Sequence, residues 1–444
     1  MQVWAVPQVK ILPDCPPMTS EVEFALKQQL VPHGSPGDDK EAAPLVILLQ
    51  GPVGPFFKYL GKGLRANGFR TLKINFNMGD VLFTHGSGTL LFRDTPERWK
   101  AWFTEFLRGN RPKCIILFGD QRIYHRHAIA ACNDNNIDVW CMEEGYIRPD
   151  YVTFERGGNN AASATSLSQA HITGDEIDQG ADVPIKGSSF GVMGRAAAFY
   201  YISMSLGHFM VSNYVHHRNR GLLTEIFFWL RNLYRKWRRV ISNAHAALNL
   251  LEHHDAKFFI VALQVHDDMN LVSHGNGWSM EMLIEATIRS FALHAAPDEL
   301  LLIKCHPLDR GHWTYDTIVS EMATLANVSN RVRLIDDSPL GLLLRHARGM
   351  VIVNSTSGIL ALRIGCPVFV LGEALYRRPG LVQFGDQAAL DQFWVNPTVP
   401  DPDTSRRFLS DMKLTTQVNG SLYQKEYFGI TIKAMIERIS AGRM

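Results

Sequence analysis

The sequence predicts an α/β protein in which two parallel-sheet domains face a cleft and are joined by a helical segment. Three observations carry that expectation. Short, wholly apolar runs alternate with amphipathic stretches up to about residue 156, the alternation stops between 157 and 255, and it resumes from 256. Runs that are apolar at every position are strands buried on both faces, the condition of a parallel sheet covered by helices.

In order, LVILL from Leu45 is the first strand and QGPVGPFF turns into a helix ending at Gly68. TLKINF from Thr71, CIILF from Cys114 and DVWCM from Asp138 are further strands, with helices before and after Cys114. The second set comprises FFIVAL, ELLLIK, a strand at Val332, MVIV and VFVL, separated by helices. The expected division is an N-terminal extension 1–43, a first domain 44–175, a helical linker 176–255, a second domain 256–420 and a C-terminal helix 421–444. Two Rossmann-type domains around a helical connection form the GT-B-like arrangement.

Composition narrows the class. Among 444 residues, 45 Lys and Arg stand against 43 Asp and Glu, which excludes the strongly basic surface of a nucleic-acid binder. With 46% hydrophobic and 20% charged residues the chain is not largely disordered. The cysteines, Cys15, Cys114, Cys132, Cys141, Cys305 and Cys366, form no CxxC and mostly sit in apolar runs, so a reducing compartment is expected. The start of the chain lacks a charged n-region followed by a long apolar stretch, and the expectation is a cytoplasmic protein.

Ligands of open α/β sheets lie beyond the carboxyl ends of strands, so those ends supply the candidates. LLLIK runs into Cys305, His306 and Pro307; Lys304 and His306 point towards the crevice, suited to a phosphate oxygen or a ribose. MVIV runs into Asn354, Ser355, Thr356, Ser357 and Gly358 and then a helix, where hydroxyls and unpaired N–H groups make an anion site. An ordinary helix cap remains the alternative. There is no GxxxxGK, which argues against a triphosphate loop. Gln264 and His266 of LQVHDD are assigned to the same nucleotide pocket, and no third cluster completes a metal site beside them.

In the first domain, Glu143 and Glu144 end a strand and precede Gly145. Sugar transfer needs a carboxylate there, and strand alternation lets only one of the two face the substrate. A structural pair with Arg148 is the alternative. Asp120, followed by Gln121 and Arg122, is a further candidate. Gln50, Gly51 and Gly54 of QGPVGPFF suit acceptor positioning or a structural turn. The segment from Gly221 to Ile241 places Leu223, Ile226, Phe227, Leu230, Leu233, Tyr234 and Trp237 at helical spacing. Arg231, Arg235, Lys236, Arg238 and Arg239 lie mostly elsewhere on the wheel. That composition suits a membrane interface with anionic lipid or a helix packed between domains.

Taken together, QGPVGPFF, KINFNMGD, EEGYIRPDYVTFE, LQVHDD, KCHP and NSTSG resemble the capsule polysaccharide biosynthesis and export family, in particular its KpsS-type β-Kdo transferases (Kdo is 3-deoxy-D-manno-oct-2-ulosonic acid). The resemblance runs from about residue 45 to 375. It implies a retaining GT-B enzyme that transfers Kdo from CMP-Kdo to a lyso-phosphatidylglycerol or related lipid acceptor at the inner face of the cytoplasmic membrane, without a metal cofactor. The product would start the β-Kdo linker extended by a KpsC-type transferase and carried to a capsule ABC exporter. The resemblance makes Glu144 the carboxylate acting at the anomeric carbon and gives the CMP phosphate to His306 and the Ser355–Ser357 hydroxyls, with Arg148 on the acceptor side. It also leaves open a GT-B protein using another nucleotide sugar, such as an epimerase, or a non-enzymatic export accessory.

Overall fold

The computed structural model describes residues 43–86, 88–163, 182–216, 222–336 and 338–441. The expected extension up to residue 42, Cys15 within it, the middle of the Gly-, Ser- and Asn-rich stretch and the side chain of Leu223 lie outside the described residues.

The first lobe alternates strand and helix: β1 (Leu45–Leu48), α1 (Phe56–Ala66), β2 (Arg70–Asn75), α2 (Met78–Thr84), β3 (Thr89–Leu91), α3 (Pro96–Asn110), β4 (Cys114–Phe118), α4 (Ile123–Asp134), β5 (Asp138–Glu144) and β6 (Tyr151–Arg156). Every residue of β1 is buried, as its apolar run requires. Helix α1 buries Phe56, Phe57, Leu60 and Leu64, a single face at helical spacing. Helix α3 starts where Thr95 accepts the N–H of Arg98 ahead of Pro96, so one of the unpaired N-terminal donors is satisfied.

Helices α5 (Phe190–Leu206) and α6 (Leu222–His253) follow. The second lobe contains β7 (Phe258–Ala262), α7 (Met269–His274), α8 (Met280–His294), β8 (Leu300–Lys304), α9 (Asp316–Leu325), β9 (Val332–Ile335) and α10 (Leu340–His346). It continues through β10 (Gly349–Ile352), α11 (Ser357–Ile364), β11 (Val368–Val370), β12 (Gln383–Phe384) and α12 (Gln387–Val395). Helix α13 (Pro402–Thr416), β13 (Gln417–Asn419) and α14 (Phe428–Ala441) complete the chain.

The first sheet has the order β13-β6-β5-β4-β1-β2-β3 and the second β12-β11-β10-β7-β8-β9. Five strands of the first sheet and all of the second are parallel; β6 and β13 add antiparallel pairs at one edge. The pairing of Gln417–Asn419 with β6 returns the chain to the first sheet, and α14 packs with α1 around Phe56 and Phe428. Residues 417–419, expected at the end of the second domain, are therefore part of the first lobe's sheet. In each sheet the strand order reverses once, between β1 and β4 and between β7 and β10. That reversal opens a crevice at the strands' carboxyl ends.

Helix α6 turns three of its cations inward and leaves Lys236 and Arg238 exposed. Arg231 donates to the carbonyls of Gly311 and His312, Arg235 to those of Arg310 and Trp313, and Arg239 pairs with Asp316 and Asp336. These three arginines fasten the helix to the second lobe, because the loop after β8 presents carbonyls to Arg231 and Arg235 while Asp316 and Asp336 present carboxylates to Arg239. The apolar residues point outward: Trp237 is 76% exposed, Leu233 63% and Leu230 60%. Among the described residues no helix is long and apolar enough to cross a membrane. The five described cysteines are buried thiols, and burial pushes those of Cys114, Cys305 and Cys366 up to about 12.

Candidate functional site

A cavity of about 320 Å³ lies where the carboxyl ends of the two sheets meet. The first lobe lines it with Gly119, Asp120, Gln121, Arg122, Glu143, Glu144, Arg148 and Asn160. The second contributes Gln264, Asp267, Asp268, Asn270, His306, Ser355 and Thr356. All three acidic candidates, Arg148, and four of the nucleotide-pocket candidates are thus brought together.

On the second lobe the strand reversal between β7 and β10 is bridged by side chains. Gln264 donates from Nε2 to Asn354 Oδ1 at 3.0 Å and accepts the Asn354 N–H at 3.2 Å, while Asn354 donates to the Asn270 carbonyl at 3.0 Å. Asn354 is buried in this lock and positions the loop behind it. Helix α11 then begins at Ser357, whose N–H and hydroxyl both reach Ser355 Oγ, at 3.2 and 2.9 Å. Tyr376 donates to the Ser355 carbonyl, and its ring packs against Gly358, where a Cβ would lie 2.5 Å from it. The N–H groups of Ser355 and Thr356 have no acceptor among the described residues. Two free N–H groups at a helix start, opening on a cavity, form an anion cradle.

His306 borders the same cavity. Its Nδ1 accepts the Leu308 N–H at 3.2 Å, which puts the ring proton on Nε2. Burial, then the charges of Lys304 and Arg148, hold the imidazole down to about 4, so at neutral pH it is an uncharged donor. Lys304 ends β8 buried and does not line the cavity. Pro307 gives its carbonyl to Asn232 of α6. His266 is turned away: its ring stacks on Trp313 with centroids 3.6 Å apart, and its backbone N–H donates to Asp309 Oδ2. Among the described residues no group of three His, Cys, Asp or Glu side chains is placed to hold a metal ion.

On the first lobe, Glu143 and Glu144 are the last two residues of β5. Both border the cavity but differ in partners. Glu144 pairs with Arg148 Nη1 at 3.0 Å and accepts from the Tyr423 hydroxyl at 3.4 Å. The Glu143 carboxyl takes no hydrogen bond or ion pair from a described residue. Burial, followed by the charges of Glu144, Asp120 and Asp268, pushes it up to about 8, with Arg122 opposing. Asp120 is also raised by burial, but the Asn159 N–H donates to it at 3.0 Å.

The acceptor candidates Gln50, Gly51 and Gly54 are not on the cavity wall. The Gln50 amide is consumed by the hydroxyls of Tyr200 and Tyr214, at 2.8 and 3.1 Å, and by Asp80. Gly51 makes room for the Phe57 ring, 2.7 Å from where a Cβ would lie, and Gly54 turns the chain at φ 113°. These residues form a structural turn. Sequence reasoning assigned no site role to Arg122, Asp268 or Asn270; the first stands two residues after Asp120, whereas the other two needed the fold of the loop after β7.

Residues 113–423 match the family described as capsule polysaccharide biosynthesis protein. The capsule polysaccharide modification protein LipB of Neisseria meningitidis serogroup B is 34% identical over 396 residues, covering 87% of this chain and 94% of LipB. The capsule polysaccharide export protein KpsS of Escherichia coli is 30% identical over 383 residues, covering 85% of this chain and 96% of KpsS. Among solved structures, KpsC of Thermosulfurimonas dismutans, a beta Kdo 2,7 transferase, aligns over 89% of this chain and 99% of its own. Its identity is 12% and its TM-score 0.41.

Proposed function

The chain belongs to the capsule polysaccharide biosynthesis family, and from that premise we propose that it is a retaining glycosyltransferase moving Kdo from CMP-Kdo to a lyso-phosphatidylglycerol-type lipid. One observation carries the reading. The Glu143 carboxyl of the first lobe, without a partner among the described residues, shares a cavity with the Ser355 and Thr356 N–H groups of the second, which have no acceptor among those residues.

The CMP phosphate sits at those N–H groups, with the Nε2–H of His306 as a further neutral donor. In the first displacement a Glu143 oxygen bonds to the anomeric carbon, and the electron pair of the breaking C–O bond leaves on the CMP phosphate. In the second, the acceptor hydroxyl oxygen bonds to that carbon, its proton passes to solvent or the departing phosphate, and the Glu143 carboxylate is released. Two inversions give retention. Glu143 takes this role in place of Glu144 because Glu144 is engaged by Arg148 and Tyr423. The helix start and His306 meet the developing phosphate charge, so the reading requires no metal. The lipid product would pass to a chain-extending transferase and the capsule exporter.

The test is turnover of purified protein with CMP-Kdo and short-chain phosphatidylglycerol. CMP release that depends on the lipid, with a β-Kdo-lipid product, is expected; turnover with UDP-GlcNAc in its place would reverse the assignment.

A lipid acceptor requires contact with a bilayer, and the outward face of α6 supports it: Trp237, Leu233 and Leu230 lie beside exposed Lys236 and Arg238. Leu233→Glu with Trp237→Glu is expected to weaken co-sedimentation with phosphatidylglycerol vesicles at least about tenfold, since two exposed apolar side chains that would enter the bilayer are lost. Unchanged sedimentation would remove α6 from the membrane contact.

A further inference from the structure

We propose that Arg122 reads the donor's acidic sugar, its guanidinium taking the carboxylate carried on the anomeric carbon. The inference rests on the CMP-Kdo reading of this cleft and adds a subsite to it.

The chain leaves β4 through Gly119 at φ 74°, a conformation that glycine adopts freely, and Arg122 stands immediately before α4 on the cavity wall. Its guanidinium lies over the Phe118 ring, 5.7 Å from the centroid, a contact that orients the plane without using its N–H groups. No hydrogen bond or ion pair to a described residue uses them either. The other arginine of the cavity differs: Arg148 is occupied by Glu144 and by the Gly145 carbonyl at 3.1 Å. Arg122 therefore offers a planar fork of five donors to whatever enters.

The surroundings explain why a cation is needed there. Asp120, Glu143, Glu144 and Asp268 line the same cavity, and the charge of Arg122 reaches Glu143. A 2-ulosonic acid carries its carboxylate on the very carbon that Glu143 attacks, so two anions must approach within bonding distance of one centre. Without a nearby cation, the acidic wall would repel such a donor. A neutral hexose donor has no such requirement. The phosphate has its own donors on the opposite lobe, at Ser355, Thr356 and His306, which leaves the guanidinium for the sugar. An Arg–carboxylate fork is bidentate, so it also fixes the orientation of the anomeric carbon relative to Glu143.

The experiment measures CMP affinity and CMP-Kdo turnover for wild type, Arg122→Met and Arg122→Lys, with thermal melts to confirm folding. Arg122→Met is expected to raise KM for CMP-Kdo about 10- to 100-fold, the loss of a charge-assisted bidentate contact, while the Kd for CMP stays within about twofold. Arg122→Lys, which keeps the charge and loses the fork, is expected to fall between. Equal weakening of CMP and CMP-Kdo would mean that Arg122 binds phosphate, and unchanged constants for both variants would mean that it binds neither group; each overturns the inference. If wild type binds CMP but never turns over CMP-Kdo, the donor reading itself fails. Wild-type turnover with an indifferent Arg122→Met removes the Arg122 subsite alone.

Discussion

Glu143→Gln is expected to lower Kdo transfer by at least about two orders of magnitude, the usual cost of removing a nucleophile or general base, while CMP binding is retained. Glu144→Gln is expected to cost about tenfold, because it releases Arg148 without removing the attacking oxygen. The reverse ranking in a steady-state assay would return the chemistry to Glu144. Capsule export that survives Glu143→Gln, with the protein folded, would favour an accessory that only binds glycolipid.

The same substitution has a pH signature. Burial and neighbouring carboxylates push Glu143 up to about 8, so a step that needs its anion speeds up as pH rises towards that value and levels off above it. Glu143→Gln should erase that limb from whatever activity remains. Stability runs the opposite way. The folded-state pKa is raised above the unfolded one, so between the ordinary carboxylate range and about 8 the folded protein binds more protons and loses stability as pH climbs. Glutamine carries no such dependence. The melting advantage of Glu143→Gln over wild type should therefore be small at pH 5 and grow by pH 8.5; parallel melting curves at the two pH values would refute the burial of a titrating carboxyl.

Much of this arrangement was legible beforehand, for identifiable reasons. The strands LVILL, CIILF, FFIVAL and LLLIK are buried on both faces, and burial of that kind leaves an unbroken apolar run. Strand β13 is Gln-Val-Asn and pairs with β6, more than 260 residues earlier in the chain; nothing local announces it. The loops after β5, β8 and β10 were legible as site loops because strand ends followed by Gly, Pro or Ser are where α/β sheets bind ligands. Which acid stays free was not, since Tyr423 and the fold of Arg148 decide it. Gln50 ends its strand in the expected place, but tyrosines from α5 and the segment after it claim its amide. In α6 the amphipathic period was readable, but which face turns inward depends on carbonyls between residues 310 and 313. Tertiary partners made each of these choices.

Gly145→Ala is expected to cost both folding stability and transfer, and it isolates how the acidic pair is held. A Cβ at Gly145 would lie 2.0 Å from the Tyr151 carbonyl oxygen and 2.5 Å from its carbon, both backbone atoms that no rotamer change can clear. Its φ is not in the left-handed region, so the demand for glycine here comes from close approach alone. Tyr151 opens β6, which pairs antiparallel with β5 at Glu144↔Val152 and Glu143↔Thr153. The inserted methyl must therefore prise apart the hairpin that carries both acids, and it displaces the carbonyl that accepts from Arg148 Nε. A loss of about 2–4 kcal/mol in urea unfolding is expected, in the range of overpacking against a rigid neighbour. Transfer should fall by at least about two orders of magnitude, since misplacement by about 1 Å suffices for that. Gly109→Ala provides the control: it sits in α3 with no atom within 4 Å of a new Cβ, so it should leave transfer unchanged and stability equal or higher. Wild-type stability and turnover in Gly145→Ala would mean that β5 and β6 separate without cost, and that the position of Glu143 does not depend on the hairpin.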